Sequence, residues 1–268
     1  KTDETISKKA DGTILGVTAN MEYRKEGKST YEAVNNSILE NLAAGKYYVR
    51  YQGDSNHNPS PDTEITIATG RKIRITVPKN TVGYTVTTTA DEVDYGGNVT
   101  ITLTVHDGYS KTDAFKLLSN GSDRTQYLTN NGTTLDRAGM VENIDITVEG
   151  IADITAPTNE MDVKGNKWTA FFNNITFGIF FKESQDVTIT ETDTGSGVNR
   201  VEYYLSTGEM SLEELATLTE WVEYNGTFKI NPNNRYVVYA KVTDNAGNMT
   251  YIISEGLVLD NVAPTLVG

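Results

Sequence analysis

The sequence contains no cysteine. This absence excludes disulfide scaffolds, thiolate metal sites and cysteine nucleophiles. Histidine is almost as scarce, because only His57 and His106 are present and they fall in different parts of the chain. Neither a histidine pair for a metal nor a compact Ser-His-Asp set is therefore evident. The sequence also lacks a G-x-x-x-x-G-K-[ST] phosphate loop and an H-E-x-x-H zinc motif.

Positive charge is also in short supply. The 268 residues include 23 Lys and Arg against 36 Asp and Glu, which gives a formal net charge of −13. Nucleic-acid binding and docking on anionic lipid both need a basic surface, so this balance argues against both. No apolar run approaches the roughly 18–20 residues of a membrane helix. The polar start, Lys1 to Thr5, is not a signal segment, so an exported protein of this sequence is expected to be a mature or excised piece.

The residue types that are abundant favour β-structure. There are 15 Tyr but only 7 Phe and 2 Trp, and Thr and Asn recur along the chain. Tyr and Thr suit half-buried strands and Asn suits turns, so the composition predicts an all-β protein. At roughly 100–150 residues per domain, the length corresponds to two or three domains.

A short repeat indicates how the domains are arranged. The pattern D-x-x-A-P-T begins at Asp153 and again at Asp260. A proline-containing junction that recurs after one domain length is typical of a tandem array. We therefore predict β-sandwich modules at 1–69, 70–152 and 153–259, followed by the start of another repeat at 260–268. Because proline fixes its own φ and favours an extended preceding residue, we expect stiff junctions and an elongated particle with one preferred bend.

Alternating apolar residues locate the strands within each module. Short strands separated by Gly, Asn and Asp turns are typical of a β-sandwich. The predicted strands lie at 21–25, 45–51 and 64–68, then at 72–77, 84–89, 98–105 and 144–149, and finally at 186–191, 198–205, 235–243 and 249–259.

One helix is predicted to interrupt the third module. Ser211 and Glu214 have the spacing of a capping box. Leu212, Leu215 and Leu218 then follow at intervals of three and are predicted to share one apolar face.

Three stretches resemble repeat modules of Firmicutes cell-surface proteins. They are 41–51 with the preceding 21–24, then 83–111, and then 168–177 with the T-D-N-A-G-N loop at 243–248. The third resembles a bacterial Ig-like repeat. The resemblance implies tandem Ig-like modules in a large secreted or cell-wall protein of a Gram-positive bacterium, where such modules serve as stalks, spacers or adhesive arms.

The function expected from this resemblance is a non-catalytic extracellular segment at the cell wall surface. Its expected partners are neighbouring modules of the same chain and host or bacterial glycans or surface proteins, with no nucleic acid and no membrane insertion. The alternative is a carbohydrate-binding accessory region of a secreted glycoside hydrolase. An enzyme is not expected, because sandwiches of about this size leave little room for a deep pocket.

Acidic turns supply a candidate cation site. If the third module is an Ig-like sandwich, the turns that carry Asp193, Asp244 and Asn248 lie at one end, where Asp153 also enters. Hard oxygen ligands that converge in this way suit Ca²⁺. The alternative is that these side chains only hydrogen-bond their own turns, and no EF-hand or RTX pattern supports the metal.

Three further residues are candidates for binding or crosslinking. Trp168 and Tyr109 are candidates for an aromatic platform that stacks on a glycan, although aromatic clusters in sandwiches also form the core. Lys241 is a candidate for the Lys–Asn or Lys–Asp isopeptide crosslink found in some Gram-positive stalk modules. The alternative for Lys241 is an outward-facing strand residue, since buried lysine is rare.

Overall fold

The regular secondary structure of the chain is almost all β-strand, which confirms the predicted all-β class. The computed structural model describes residues 1–263 and 265. It divides into two compact units, of which the first comprises 1–105 and 111–151. The second comprises 106–110 and the chain from Ala152 onwards. Within the described part of the chain, no helix has the length and apolar character needed to cross a membrane.

The first unit begins with a small six-stranded sandwich. Its strands are β1 (Gly12–Leu15), β2 (Met21–Lys25), β3 (Glu32–Ala33), β4 (Ile38–Leu42), β5 (Gly45–Tyr51) and β6 (Thr63–Ile67). One sheet pairs β1 with β4, and the other has the order β3-β2-β5-β6. Side chains alternate between the two faces of a strand, so Tyr47 and Val49 of β5 point inward. There they pack with Ile14 and Ile67.

A second sandwich contains eight strands. They are β7 (Ile73–Thr76), β8 (Tyr84–Thr88), β9 (Glu92–Val93), β10 (Val99–Val105), β11 (Tyr109–Ser119), β12 (Ser122–Asp123), β13 (Thr134–Arg137) and β14 (Ile144–Asp153). The sheets have the orders β13-β10-β8 and β12-β11-β14-β7-β9. The alternation that predicted β10 is confirmed, because Val99, Ile101 and Leu103 are buried and separated by threonines.

The third sandwich lies in the second unit. Its strands are β15 (Thr158–Val163), β16 (Asn166–Trp168), β17 (Ile179–Phe181), β18 (Gln185–Thr192), β19 (Val198–Ser206), β20 (Val222–Glu223), β21 (Phe228–Ile230), β22 (Asn234–Asp244), β23 (Met249–Ile253) and β24 (Leu257–Leu259). The sheets have the orders β16-β15-β18-β21 and β17-β24-β22-β19-β20, with β23 also on β22. With β15, β18 and β21 as strands A, B and E, and β19, β22 and β23–β24 as C, F and G, this order is Ig-like.

Strand β22 is buried on both of its faces. Val238, Ala240 and Val242 point into the core between the sheets. Val237 and Tyr239 point the other way, into a second cluster formed with Leu215 and with aromatic residues of the 169–178 loop. The central strand is therefore without a charged or amide side chain from Tyr236 to Ala240, which is the pattern of a strand covered on both sides.

The predicted helix is present as α1 (Leu212–Thr217). Its capping box is confirmed, because the Glu214 N–H donates to Ser211 Oγ over 3.2 Å and the Ser211 N–H donates to Glu214 Oε2 over 2.7 Å. The predicted apolar face is wrong for Leu212, which is exposed, whereas Leu215 is fully buried. Leu218, which follows the last residue of the helix, packs against the same cluster as Leu215.

The single strand predicted at 249–259 is two strands, β23 and β24, with a break at 254–256. Ser254 causes the break with a buried hydroxyl that accepts the Val238 N–H over 2.9 Å. The hydroxyl therefore takes the place of a backbone carbonyl at this point. Ser254, Glu255 and Gly256 are three consecutive residues without a large apolar side chain, so the sequence carries a signal for the break that the prediction of one strand did not use.

Replacing Leu103 by alanine tests the core of the second sandwich. Leu103 is 1% exposed, so Leu103→Ala is expected to lower the free energy of unfolding of the first unit by about 3 kcal/mol. The matched control is Leu15→Ala in the same unit, where the side chain is 54% exposed and a change within about 0.5 kcal/mol is expected. Urea unfolding of the full chain measures both. Equal losses would contradict the assignment of Leu103 to the core.

Candidate metal centre

Asp153 stands at the end of β14, where the chain enters the third sandwich. Its Oδ1 accepts the Thr155 N–H over 2.9 Å, so the side chain closes a turn on its own backbone. The next amide, that of Ile154, donates to the Gly108 carbonyl over 2.8 Å. These bonds fix the direction in which the second carboxylate oxygen points.

The second oxygen of Asp153 joins the entry segment to the β18–β19 turn. Asp153 Oδ2 accepts the Ser196 N–H over 2.7 Å, across 43 residues of sequence. Gly195 lies directly against the carboxylate, and a Cβ at this position would collide with both oxygens of Asp153. Glycine is therefore required at position 195 by the close approach of the carboxylate.

The β18–β19 turn is also hydrogen-bonded to the β22–β23 turn. The Asn245 N–H donates to the Gly197 carbonyl over 2.9 Å, and Asn245 Nδ2 donates to the Ser196 carbonyl over 2.9 Å. The Ala246 N–H donates to Ser196 Oγ over 3.1 Å. The structure thus places the two acidic turns side by side at one end of the sandwich.

These turns bring three carboxylates together. One oxygen from each of Asp153, Asp193 and Asp244 lies within 4.8 Å of the others. Asp153 and Asp244 are buried, and Asp193 is half-buried. Among the described residues, no lysine or arginine forms a salt bridge with any of the three. The cluster therefore concentrates negative charge without a paired lysine or arginine.

Hydrogen bonds stabilise the ionised form of each buried carboxylate. The Thr155 N–H, aided by the Ser196 N–H and opposed by desolvation, holds the pKa of Asp153 below its usual value. Burial alone would raise the pKa of Asp244, but the Asn248 side chain and backbone donate to it and the net pKa is lowered. Tyr109 responds in the opposite sense, because desolvation and the charges of Asp153 and Asp193 raise the pKa of its phenol.

Asn248 takes part in the site through its nitrogen. Its Nδ2 donates to Asp244 Oδ2 over 2.7 Å and to the Asp153 carbonyl over 3.2 Å. Its backbone N–H donates to Asp244 Oδ1 over 2.8 Å. A role for Asn248 as a calcium ligand would require the amide to turn over, so that its oxygen faced the carboxylates. The three aspartates could hold a Ca²⁺ ion without that change, since each oxygen has lone pairs left.

The other candidate residues lie apart from this cluster or serve different contacts. Trp168 is half-buried and packs against the core of the third sandwich. Lys241 lies between Ala240 and Val242 on β22 and therefore points away from that core, where its Nζ pairs with Glu202 Oε2 at 2.7 Å. The Lys241 ammonium also stands 4.5 Å from the centre of the Trp221 ring. The glycan platform and the crosslink stay predictions.

The two histidines lie in different units. His57 lies in an exposed loop of the first unit, with Nδ1 3.0 Å from Asp54 Oδ1. His106 belongs to the second unit.

The groups that donate hydrogen bonds to Asp153 were not predicted from the sequence. Thr155 follows Asp153 by two residues, which is the spacing of a turn closed by an aspartate side chain, so this contact had a local signal. Ser196 had a weaker signal, as the residue after the glycine of the D-T-G-S-G run. Its pairing with Asp153 depends on tertiary structure, so local spacing alone could not identify it.

A scan against models of protein families gives no match, and a search of curated proteins also gives none. A search of solved structures finds immunoglobulin-domain arrays. Sidekick-1 immunoglobulin domains 1–4 match at 12% sequence identity over 97% of this chain and 74% of that chain, with a TM-score of 0.24. Sidekick-1 domains 1–5 match at 13% identity over 96% of this chain and 58% of that chain, with a TM-score of 0.25. At these TM-scores the likeness supports no argument, and the Ig-like description rests on the strand order given above.

Replacing Asp153 by asparagine tests its role in joining the turns. Asparagine has one acceptor oxygen and cannot accept both the Thr155 and the Ser196 N–H. Asp153→Asn is therefore expected to lower the unfolding midpoint of the second unit by roughly 5 °C at pH 7. Asp186→Asn is the control, because Asp186 is exposed and its carboxylate pairs with Lys229 in the same sandwich. Fluorescence reports this unit selectively, since both tryptophans, Trp168 and Trp221, belong to it.

The stabilisation that Asp153 provides is expected to depend on pH. A carboxyl whose folded-state pKa is lowered adds stability above its unfolded pKa, and that stability is lost as the pH falls through the folded value. The difference in the unfolding midpoint of the second unit between Asp153→Asn and the parent chain should therefore shrink steadily below about pH 4. A difference that stayed constant down to pH 2 would show that the charge of Asp153 contributes nothing.

A calcium site at this cluster predicts a specific stabilisation. Extracellular calcium modules bind with a Kd of about 10⁻⁴–10⁻³ M, so about 10 mM Ca²⁺ should raise the unfolding midpoint of the second unit by a few degrees relative to chelator. Asp193→Asn should abolish this increase while leaving the bonds of Asp153 in place. Equal midpoints with calcium and with chelator would show that hydrogen bonds alone occupy these oxygens.

Proposed function

We propose that this chain is a non-catalytic structural or adhesive segment of an extracellular cell-surface protein, built from tandem Ig-like modules. The observation that carries the proposal is that the buried core residues of each sandwich come from one continuous stretch of chain, with Ile6 added at the edge of the second core. The buried residues of the three cores fall within 14–67, 73–146 and 161–259. A chain that completes one core before it begins the next is organised as an array.

The motif at the module boundary supports the same proposal. D-x-x-A-P-T opens the third sandwich at Asp153 and recurs at Asp260, immediately after the last strand, β24. In a protein that projects another domain from a surface, repeated junctions of this kind set the spacing between modules. The cell-wall location and the Gram-positive source belong to this proposal and rest on the sequence resemblance.

The aromatic residues of the third sandwich favour a structural role over sugar binding. Tyr203 and Phe228 stack with ring centres 3.9 Å apart, and both pack with Trp168 against the core. Aromatic pairs of this kind stabilise sandwich interiors. The proposed partners are therefore neighbouring modules and surface proteins or glycans bound elsewhere, and the net charge of −13 argues against nucleic acid.

Stretching single molecules tests the proposal directly. The full chain, tethered at both ends, is expected to unfold in three separate steps, because each core is lost independently. Each step should lengthen the chain by roughly 3.5 Å for every residue in the sandwich that opens. Leu103→Ala should lower the force of one step and leave the other two unchanged. A single cooperative step would contradict the array, and turnover in a screen of glycoside and peptide substrates would contradict the non-catalytic assignment.

A further inference from the structure

The structure at Asp260 repeats the structure at Asp153. Asp260 Oδ1 accepts the Val262 N–H over 2.8 Å, and Asp153 Oδ1 accepts the Thr155 N–H over 2.9 Å. Each aspartate directly follows or ends the last strand of a sandwich, β24 in one case and β14 in the other. The second copy of the motif therefore forms the same local turn as the first.

A second contact is also repeated. The amide after each aspartate donates to a turn, Ile154 to the Gly108 carbonyl over 2.8 Å and Asn261 to Asn233 Oδ1 over 3.4 Å. Both accepting residues have left-handed backbone, with φ of 81° at Gly108 and 65° at Asn233. The residue after each aspartate is thus bonded to a turn of the chain that precedes it, through a backbone carbonyl at Gly108 and through a side-chain oxygen at Asn233.

The two sites differ at the other carboxylate oxygen. Asp153 Oδ2 accepts the Ser196 N–H, and Asp153 is only 6% exposed. Asp260 is exposed, and within residues 1–263 and 265 no donor reaches its Oδ2. The donor at the first site comes from a turn about 40 residues further along the chain. At Asp260 the second carboxylate oxygen is thus exposed, whereas at Asp153 the same oxygen is bonded to a turn.

We propose that Asp260 is a docking carboxylate, which accepts the backbone N–H of a Gly-Ser turn in a following Ig-like module of the same type as residues 158–259. The inference rests on the proposed function as a tandem array. The chemistry that defines the partner is a turn with glycine against the carboxylate and a free N–H on the next residue, as at Gly195 and Ser196. A side chain at the glycine position would exclude the carboxylate.

An extended chain tests this docking. Residues 1–264 are joined to a second copy of 158–268, so that Asp260 stands before the appended sandwich as Asp153 stands before the third. Thr194→Ser in the appended copy, at an exposed position, changes the mass of its turn peptide and lets hydrogen-exchange mass spectrometry distinguish the copies. The turn amides of the appended copy are expected to exchange about tenfold faster when Asp260→Asn is introduced, because an oriented charged acceptor is lost.

Four controls make the result decisive. In the extended chain, Asp260→Asn should leave exchange at the turn bonded to Asp153 unchanged. In the 268-residue chain, the same substitution should leave exchange at Ser196 unchanged, whereas Asp153→Asn should accelerate it. Protection of the core strands of the appended copy shows that it has folded. Exchange at the appended turn that is unaffected by Asp260→Asn, in a folded copy, would overturn the docking inference and leave the tandem array intact, whereas an appended copy that does not fold would count against both.

Discussion

The third sandwich depends on one carboxylate that receives hydrogen bonds from two directions. Asp153 accepts a backbone N–H from the segment that follows it and another from the β18–β19 turn. The β18–β19 turn is also hydrogen-bonded to the β22–β23 turn. One side chain therefore connects the entry of the chain to strands of both sheets, and the position of Asp193, Asp244 and Asn248 follows from this connection.

The arrangement carries an electrostatic cost, which backbone dipoles offset. Three carboxylates lie within 4.8 Å, and two of them are buried. Mutual repulsion and desolvation both favour protonation, whereas N–H groups aimed at the oxygens favour ionisation. The lowered pKa values of Asp153 and Asp244 indicate that the hydrogen bonds dominate. A bound Ca²⁺ would favour ionisation in the same direction as these donors.

Much of this fold could be predicted from local patterns, and the exceptions have physical reasons. Alternation located β5, β10 and β18 because each buries one face, and the capping box of α1 is a contact between neighbours. The break after β23 was not predicted, because the predicted strand ran across Ser254, Glu255 and Gly256, although these three residues interrupt the apolar pattern. The aspartates were found because Ig-like strand order places their turns together. Ser196 was not predicted as a donor, since its bond to Asp153 spans 43 residues and uses a backbone group that any residue could supply.

The central claim is that Asp153 is ionised and bonded to both donors in the folded chain. The most direct test is a carbon-detected NMR titration of the Asp153 carboxyl group, recorded together with the Ser196 amide proton. The account predicts a titration midpoint below the ordinary value of 3.8, with the Ser196 amide shifting at the same pH. A midpoint at or above 3.8, or a Ser196 amide that does not respond when Asp153 is protonated, would contradict it.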